Sequence, residues 1–92
     1  MGAMRKSTHT AEYAALLKEI RRSRSAATLT QRDVAARLGV PPSWIAKVES
    51  GERRIDVIEF CWLVGACGVD PREVFDRVAR VASKGRLGGR RP

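Results

Sequence analysis

Ninety-two residues, 43% of them hydrophobic, allow one small domain whose modest core needs neither a metal nor a disulfide to hold it. Eighteen Lys and Arg against ten Asp and Glu give a net charge of +8, which concentrates polyanions around the chain and makes nucleic acid the leading partner class. An anionic membrane surface would suit the same charge, but no apolar run is long enough to span a bilayer and no signal-peptide core stands at the N-terminus, so a cytoplasmic, nucleoid-associated protein is expected.

Residues 1–10 are small or polar without apolar periodicity and read as a flexible flank, in which Met1-Gly2-Ala3 ahead of Met4 resembles an expression-vector remnant. The first helix is predicted over about residues 11–23, with Thr10 as N-cap and Tyr13, Leu16, Leu17 and Ile20 at i, i+3, i+4 and i+7. The second follows Thr30, whose hydroxyl and the Asp33 carboxylate can bond reciprocally in an Asp form of the capping box. It turns Val34, Ala35 and Leu38 inward and stops at Gly39, where positive φ is cheap. Pro41-Pro42 announces the third helix, anchored by Ile45 and Val48 and ending near Ser50-Gly51. Asp56 and Asp70, each three residues before a glutamate, start the fourth and fifth helices. The fourth carries Val57, Phe60, Leu63, Val64 and Cys67 before a stop at Gly68, and the fifth carries Val74, Phe75, Val78 and Val81. No strand-like alternation or internal repeat competes with this all-α reading of a five-helix domain over residues 11–83. Residues 84–92 hold Lys84, Arg86, Arg90 and Arg91 with three glycines and no acid, the composition of a disordered basic tail.

Cys61 and Cys67 fall on one predicted helix roughly 240° apart at about 100° per residue, so they cannot pair within it. The only histidine is His9 in the flank, so no metal set is in view and both thiols read as buried structural groups in a reducing compartment. Paired carboxylates in a cleft, a Cys-His arrangement and a phosphate-cradling glycine loop are all missing from the sequence, which points away from catalysis and from any cofactor or small-molecule ligand.

Residues 29–49 are the informative stretch: a short helix, a Gly-containing turn and a second short helix follow with almost no slack, which is helix-turn-helix spacing. Small Ala35 suits the helix crossing, and Ile45 and Val48 anchor the second helix so that its other face can enter a groove. Leu-Thr-Gln-Arg-Asp-Val-Ala-Ala-Arg-Leu-Gly-Val at 29–40, followed by Trp-Ile-Ala-Lys-Val-Glu-Ser-Gly-Glu-Arg-Arg-Ile-Asp at 44–56, resembles the XRE family of phage-repressor-like and Cro-like regulators. The resemblance spans roughly residues 13–74, and its most specific part is Glu49-Ser-Gly-Glu-Arg-Arg, similar to the family's Glu-Asn-Gly-x-Arg, joined to the Thr-Gln pair that opens the second helix.

This resemblance implies that Gln31 meets a DNA phosphate at the N-terminus of the second helix, where free N–H groups and the dipole favour an anion. It implies base reading from Pro42, Ser43, Trp44 and Lys47, with Lys47 suited to guanine O6 and N7 and Trp44 to a thymine methyl or sugar edge. Arg53 and Arg54 resemble the family's basic loop on the phosphate backbone. The sequence departs from the family at Pro41, where a Ser or Thr cap is common, and at Pro42 and Trp44, where small polar residues are common. Arg32 and Arg37 read as solvated positions on the outer face of the second helix.

Trp62 widens the apolar arc of the fourth helix beyond one core's need, and with Phe75, Val78 and Val81 it forms a candidate homodimer interface. A twofold dimer places two recognition helices about one DNA turn, roughly 34 Å, apart. The leading expectation is a repressor on a palindromic operator of double-stranded DNA, without a sensory domain; the alternative is a protein-interaction module or co-regulator with unspecific nucleic-acid affinity.

Overall fold

The computed structural model describes residues 10–84; apart from Thr10 and Lys84, the expected flank and basic tail lie outside them. These residues form α1 (Ala11–Ala26), α2 (Gln31–Leu38), α3 (Pro42–Ser50), α4 (Val57–Ala66) and α5 (Pro71–Lys84), with no strand among them. Side-chain caps fix most of the starts. Thr10 Oγ1 accepts from the Tyr13 N–H at 3.0 Å. Thr30 and Asp33 exchange bonds of 3.0 and 2.9 Å, which is the expected capping box; Asp56 and Glu59 form another, at 2.8 and 3.1 Å, while the Asp70 carboxylate accepts from the Arg72 N–H at 2.9 Å. Helix α3 has no side-chain cap; Pro41 and Pro42 set its φ instead.

Helix α1 runs three residues past its predicted end at Ser23. Its apolar stripe stops, but Ser23 is buried and its hydroxyl donates back to Glu19 O at 2.9 Å. The chain then leaves through Thr28 at φ +56°, with Leu29 N–H bonded to Arg24 O at 3.1 Å, a Schellman turn made without glycine. No Gly or Pro signals this end, which is why residue pattern misplaces it.

Every helix gives the core a fully buried aliphatic side chain: Ile20, Val34, Ile45, Val48, Leu63, Val64 and Val74. Burying each contributes about 1.5–3 kcal/mol against chain entropy. Helix α2 packs on α3 and α4, while α1 lies against α3, α4 and α5. Tyr13 ties the ends of this arrangement together, its hydroxyl accepting from the buried Ile55 N–H at 3.2 Å.

Two expectations for α4 fail. Val57, placed on the inward stripe, is 64% exposed, and Cys61, taken as a buried thiol, is exposed, whereas Cys67 is buried. Helix α4 is apolar almost all round, so periodicity alone cannot choose its inner face. The structure turns Phe60, Leu63 and Val64 inward and leaves Val57, Ile58, Cys61 and Trp62 on the outward stripe. Among the described residues no helix is long and apolar enough to cross a membrane.

Candidate nucleic-acid interface

Helices α2 and α3 meet through residues 39–41. Gly39, at φ +73°, and Val40 both donate to Ala35 O, at 2.8 and 3.0 Å, which ends α2 and reverses the chain within three residues. Ala35 is 1% exposed, small enough for α3 to cross close by. On α3 the residues Ile45, Val48 and Glu49 are buried, while Pro42, Ser43, Lys47 and Ser50 are exposed and Ala46 is half-buried. Trp44 lies at the border between these two arcs, packed against the core along one side. The expected readers Pro42, Ser43 and Lys47 therefore share one exposed arc with Trp44 on its edge. Sequence reading passed over Ala46 on the same arc. Ser50 also lies there, but its hydroxyl is occupied by Lys47 O at 3.1 Å.

Glu49 explains how this arc is held. Its carboxylate accepts from Arg24 Nε at 2.6 Å and Nη2 at 2.9 Å, and from Gln31 Nε2 at 2.9 Å. Its carbonyl, in the last turn of α3, accepts from Arg21 Nη1 at 2.9 Å, a cation at a helix C-terminus. Arg24 also donates to Leu29 O at 3.0 Å, so one guanidinium binds the α1–α2 turn and the end of α3 together. The Glu49 partnership raises the Arg24 pKa. Gln31, expected at a phosphate, thus has one amide hydrogen directed to Glu49 and a second with no acceptor among the described residues. The backbone N–H groups of Gln31 and Arg32 have no acceptor among the described residues, as at any helix start. Arg24 and Glu49 escaped notice as site residues, although a glutamate beside Val48 on the inward arc was a sign of an internal charge partner.

The basic loop is also partly occupied. Arg53 donates to Glu59 Oε1 at 3.3 Å, Glu59 Oε2 at 3.1 Å and Arg54 O at 2.9 Å, and its guanidinium carbon lies 4.9 Å from the Trp44 ring centroid. Arg53, and next the Asp56 N–H, hold the Glu59 carboxyl below its ordinary range. Arg54 is exposed, over the Tyr13 ring at 5.7 Å. The Lys47 ammonium has no partner among the described residues. Arg37 is exposed as expected, yet it donates to Ala66 O at 2.8 Å and so supplies the cation that the last turn of α4 lacks.

Of the expected dimer residues, Trp62, Phe75 and Val81 are 61%, 55% and 42% exposed and Val78 is half-buried. Val57 and Cys61 adjoin Phe75 around an open apolar groove of about 300 Å³, and Trp62 shares a neighbouring groove with Trp44 and Leu38.

Two short helices joined by a tight glycine turn, with the outer arc of the second facing away from the core, define a helix-turn-helix DNA-binding domain. A family model described as a helix-turn-helix domain matches residues 12–81. A solved structure of an XRE-family like protein from Pseudomonas syringae pv. tomato str. DC3000 is similar to the chain at 42% identity, with 88% of this chain and 98% of that chain covered and a TM-score of 0.78. The chain belongs to the XRE family of helix-turn-helix proteins, DNA-binding regulators of transcription. No curated protein matches it.

Proposed function

We propose that the protein is a repressor that binds a palindromic operator as a homodimer, laying α3 in the major groove. The observation that carries this reading is the division of α3: a fully buried Ile45 and Val48 on one side, and Ser43 and Lys47 exposed on the other, their side chains without a partner among the described residues. Ser43 and Lys47 offer donors to base edges, Pro42 and Trp44 apolar contact, and Gln31 and Arg54 phosphate contacts that set register. Trp62, Phe75, Val78 and Val81, extended by the exposed Val57, Ile58 and Cys61, form the self-complementary surface of the dimer, since large apolar side chains on a small domain are otherwise costly to leave in water.

The test is selection of bound duplexes from a random pool at about 150 mM salt, where the Debye length is about 8 Å and loose charge attraction is screened. An enriched palindrome with half-site centres about one helical turn apart is the expected result. Retention of DNA without enrichment would reduce the role to unspecific phosphate binding. Sedimentation of the free protein at tens of micromolar should give twice the chain mass, and the mass of one chain would overturn the preformed dimer.

A further inference from the structure

The family resemblance gives Arg53 a phosphate, but its guanidinium is already in use. Both terminal nitrogens donate to the Glu59 carboxylate, at 3.3 and 3.1 Å, and one of them also donates to Arg54 O at 2.9 Å. The planar group lies over the indole of Trp44, 4.9 Å from the ring centroid. The loop beneath is fixed too, since Arg53 N–H bonds to Lys47 O at 3.0 Å in the last turn of α3. Glu59 is itself held by the capping box at the start of α4. A continuous stack therefore runs from the first turn of α4, through the loop, to the first turn of the recognition helix. The indole N–H donates to no described residue, and it is not a buried polar atom without a partner, so it opens to solvent at the edge of the exposed arc.

We propose that Arg53 is a positioning residue for sequence readout: clamped by Glu59, it fixes the Trp44 ring at the edge of the recognition arc, so that Trp44 is a specificity-determining residue beside Ser43 and Lys47 and Arg53 acts through it. The proposal rests on the DNA-reading role of α3. A planar, forked guanidinium is required for this task, because it can chelate a carboxylate along its edge while stacking its face on an aromatic ring, and lysine can do neither in that form. Phosphate gripping has no such requirement, since an ammonium serves it as a point charge.

The deciding variants are therefore Arg53→Lys, which keeps the charge and loses the fork, and Glu59→Gln, which keeps Arg53 and an oxygen for the capping box but weakens the clamp. The measurement is the ratio of affinities for the selected duplex and for random duplex across a salt series, together with acrylamide quenching of Trp44 emission in the Trp62→Phe background, where Trp44 is the one indole. Both variants should lower the ratio about tenfold with the salt slope retained, and both should raise quenching. An unchanged ratio in Arg53→Lys, with Glu59→Gln tightening binding to all DNA alike, would assign Arg53 to a phosphate and overturn the proposal while leaving the regulator reading intact. A lowered ratio with unchanged quenching would make Arg53 itself the reader and overturn the positioning role. A protein that selects no sequence at all overturns the regulator reading, and the proposal with it.

Discussion

Arg24 and Glu49 meet fork to fork across the α1–α3 contact, Nε to Oε2 at 2.6 Å and Nη2 to Oε1 at 2.9 Å, with only 19% and 4% of their side chains exposed. Twenty-five residues apart in sequence, they join the first helix to the end of the recognition helix. Each charge is largely removed from water and the other is its one opposite charge among these contacts, Gln31 and Leu29 O adding only neutral hydrogen bonds, so removing one leaves the other without a counter-charge.

Arg24→Met should therefore cost about 3–5 kcal/mol of unfolding free energy, a large part of the 5–15 kcal/mol typical of a whole domain. Glu49→Met should cost a similar amount and also release Gln31 from its 2.9 Å bond. The double replacement should be less damaging than the sum of the two, because no unpaired charge remains. Urea unfolding of the four proteins measures this, and strictly additive losses would show that the pair is not coupled.

Thr28 holds a left-handed φ of +56° at the exit of α1, a conformation that costs a β-branched residue about 1–2 kcal/mol and glycine almost nothing. Thr28→Gly should accordingly stabilise the domain by about 1 kcal/mol and raise Tm by about 4–8 °C, less whatever is lost from glycine's freer unfolded chain. Differential scanning calorimetry is the check, and a lowered Tm would mean that the local Thr28 hydroxyl bond to Ala27 O matters more than the backbone strain.

The features legible in the sequence are those governed by short-range chemistry. Thr30 with Asp33 and Asp56 with Glu59 announced two helix starts because the capping residue and its partner lie only three positions apart in the chain, and Gly39 announced a turn because of its own φ preference. Thr28 was not legible, since it adopts a glycine conformation under tertiary constraint. Nor was the face of α4, where Val57 and Phe60 are equally apolar and only packing decides which is buried. The recognition arc was read from its residue types, but the partners that hold it, Arg24 for Glu49 and Glu59 for Arg53, come together only through folding and leave no periodic trace.

Three carboxylates should make the domain acid-sensitive. Asp33 is held below its ordinary range chiefly by the Thr30 N–H and then its hydroxyl, Glu59 by Arg53 and then the Asp56 N–H, and Asp70 by the Arg72 side chain and then its N–H. A carboxylate whose pKa is lower when folded binds fewer protons in the native state, so its contribution is complete above the unfolded value, about 4, and is lost as pH falls through the folded value. Urea midpoints should be nearly level from about pH 7 to about pH 5 and decline below about pH 4. Glu59→Gln should have a shallower decline than the unaltered protein, and parallel curves would show that Glu59 is not one of the responsible groups.

Lys47 and Arg54 should separate readout from grip. Lys47 stands on the exposed arc of α3 without a partner among the described residues and can approach a base edge, whereas Arg54 lies in the loop over Tyr13, where a phosphate is the accessible target. Lys47→Ala should cost about 1–3 kcal/mol on the selected duplex and relax preference at one position, with a much smaller loss on random DNA. Arg54→Ala should weaken binding to both duplexes alike and reduce the salt slope by about one, the signature of one phosphate contact removed. Titration of both variants against both duplexes at several salt concentrations gives the comparison. Equal losses for Lys47→Ala on selected and random DNA would place its ammonium on the backbone and leave base discrimination to the first turn of α3.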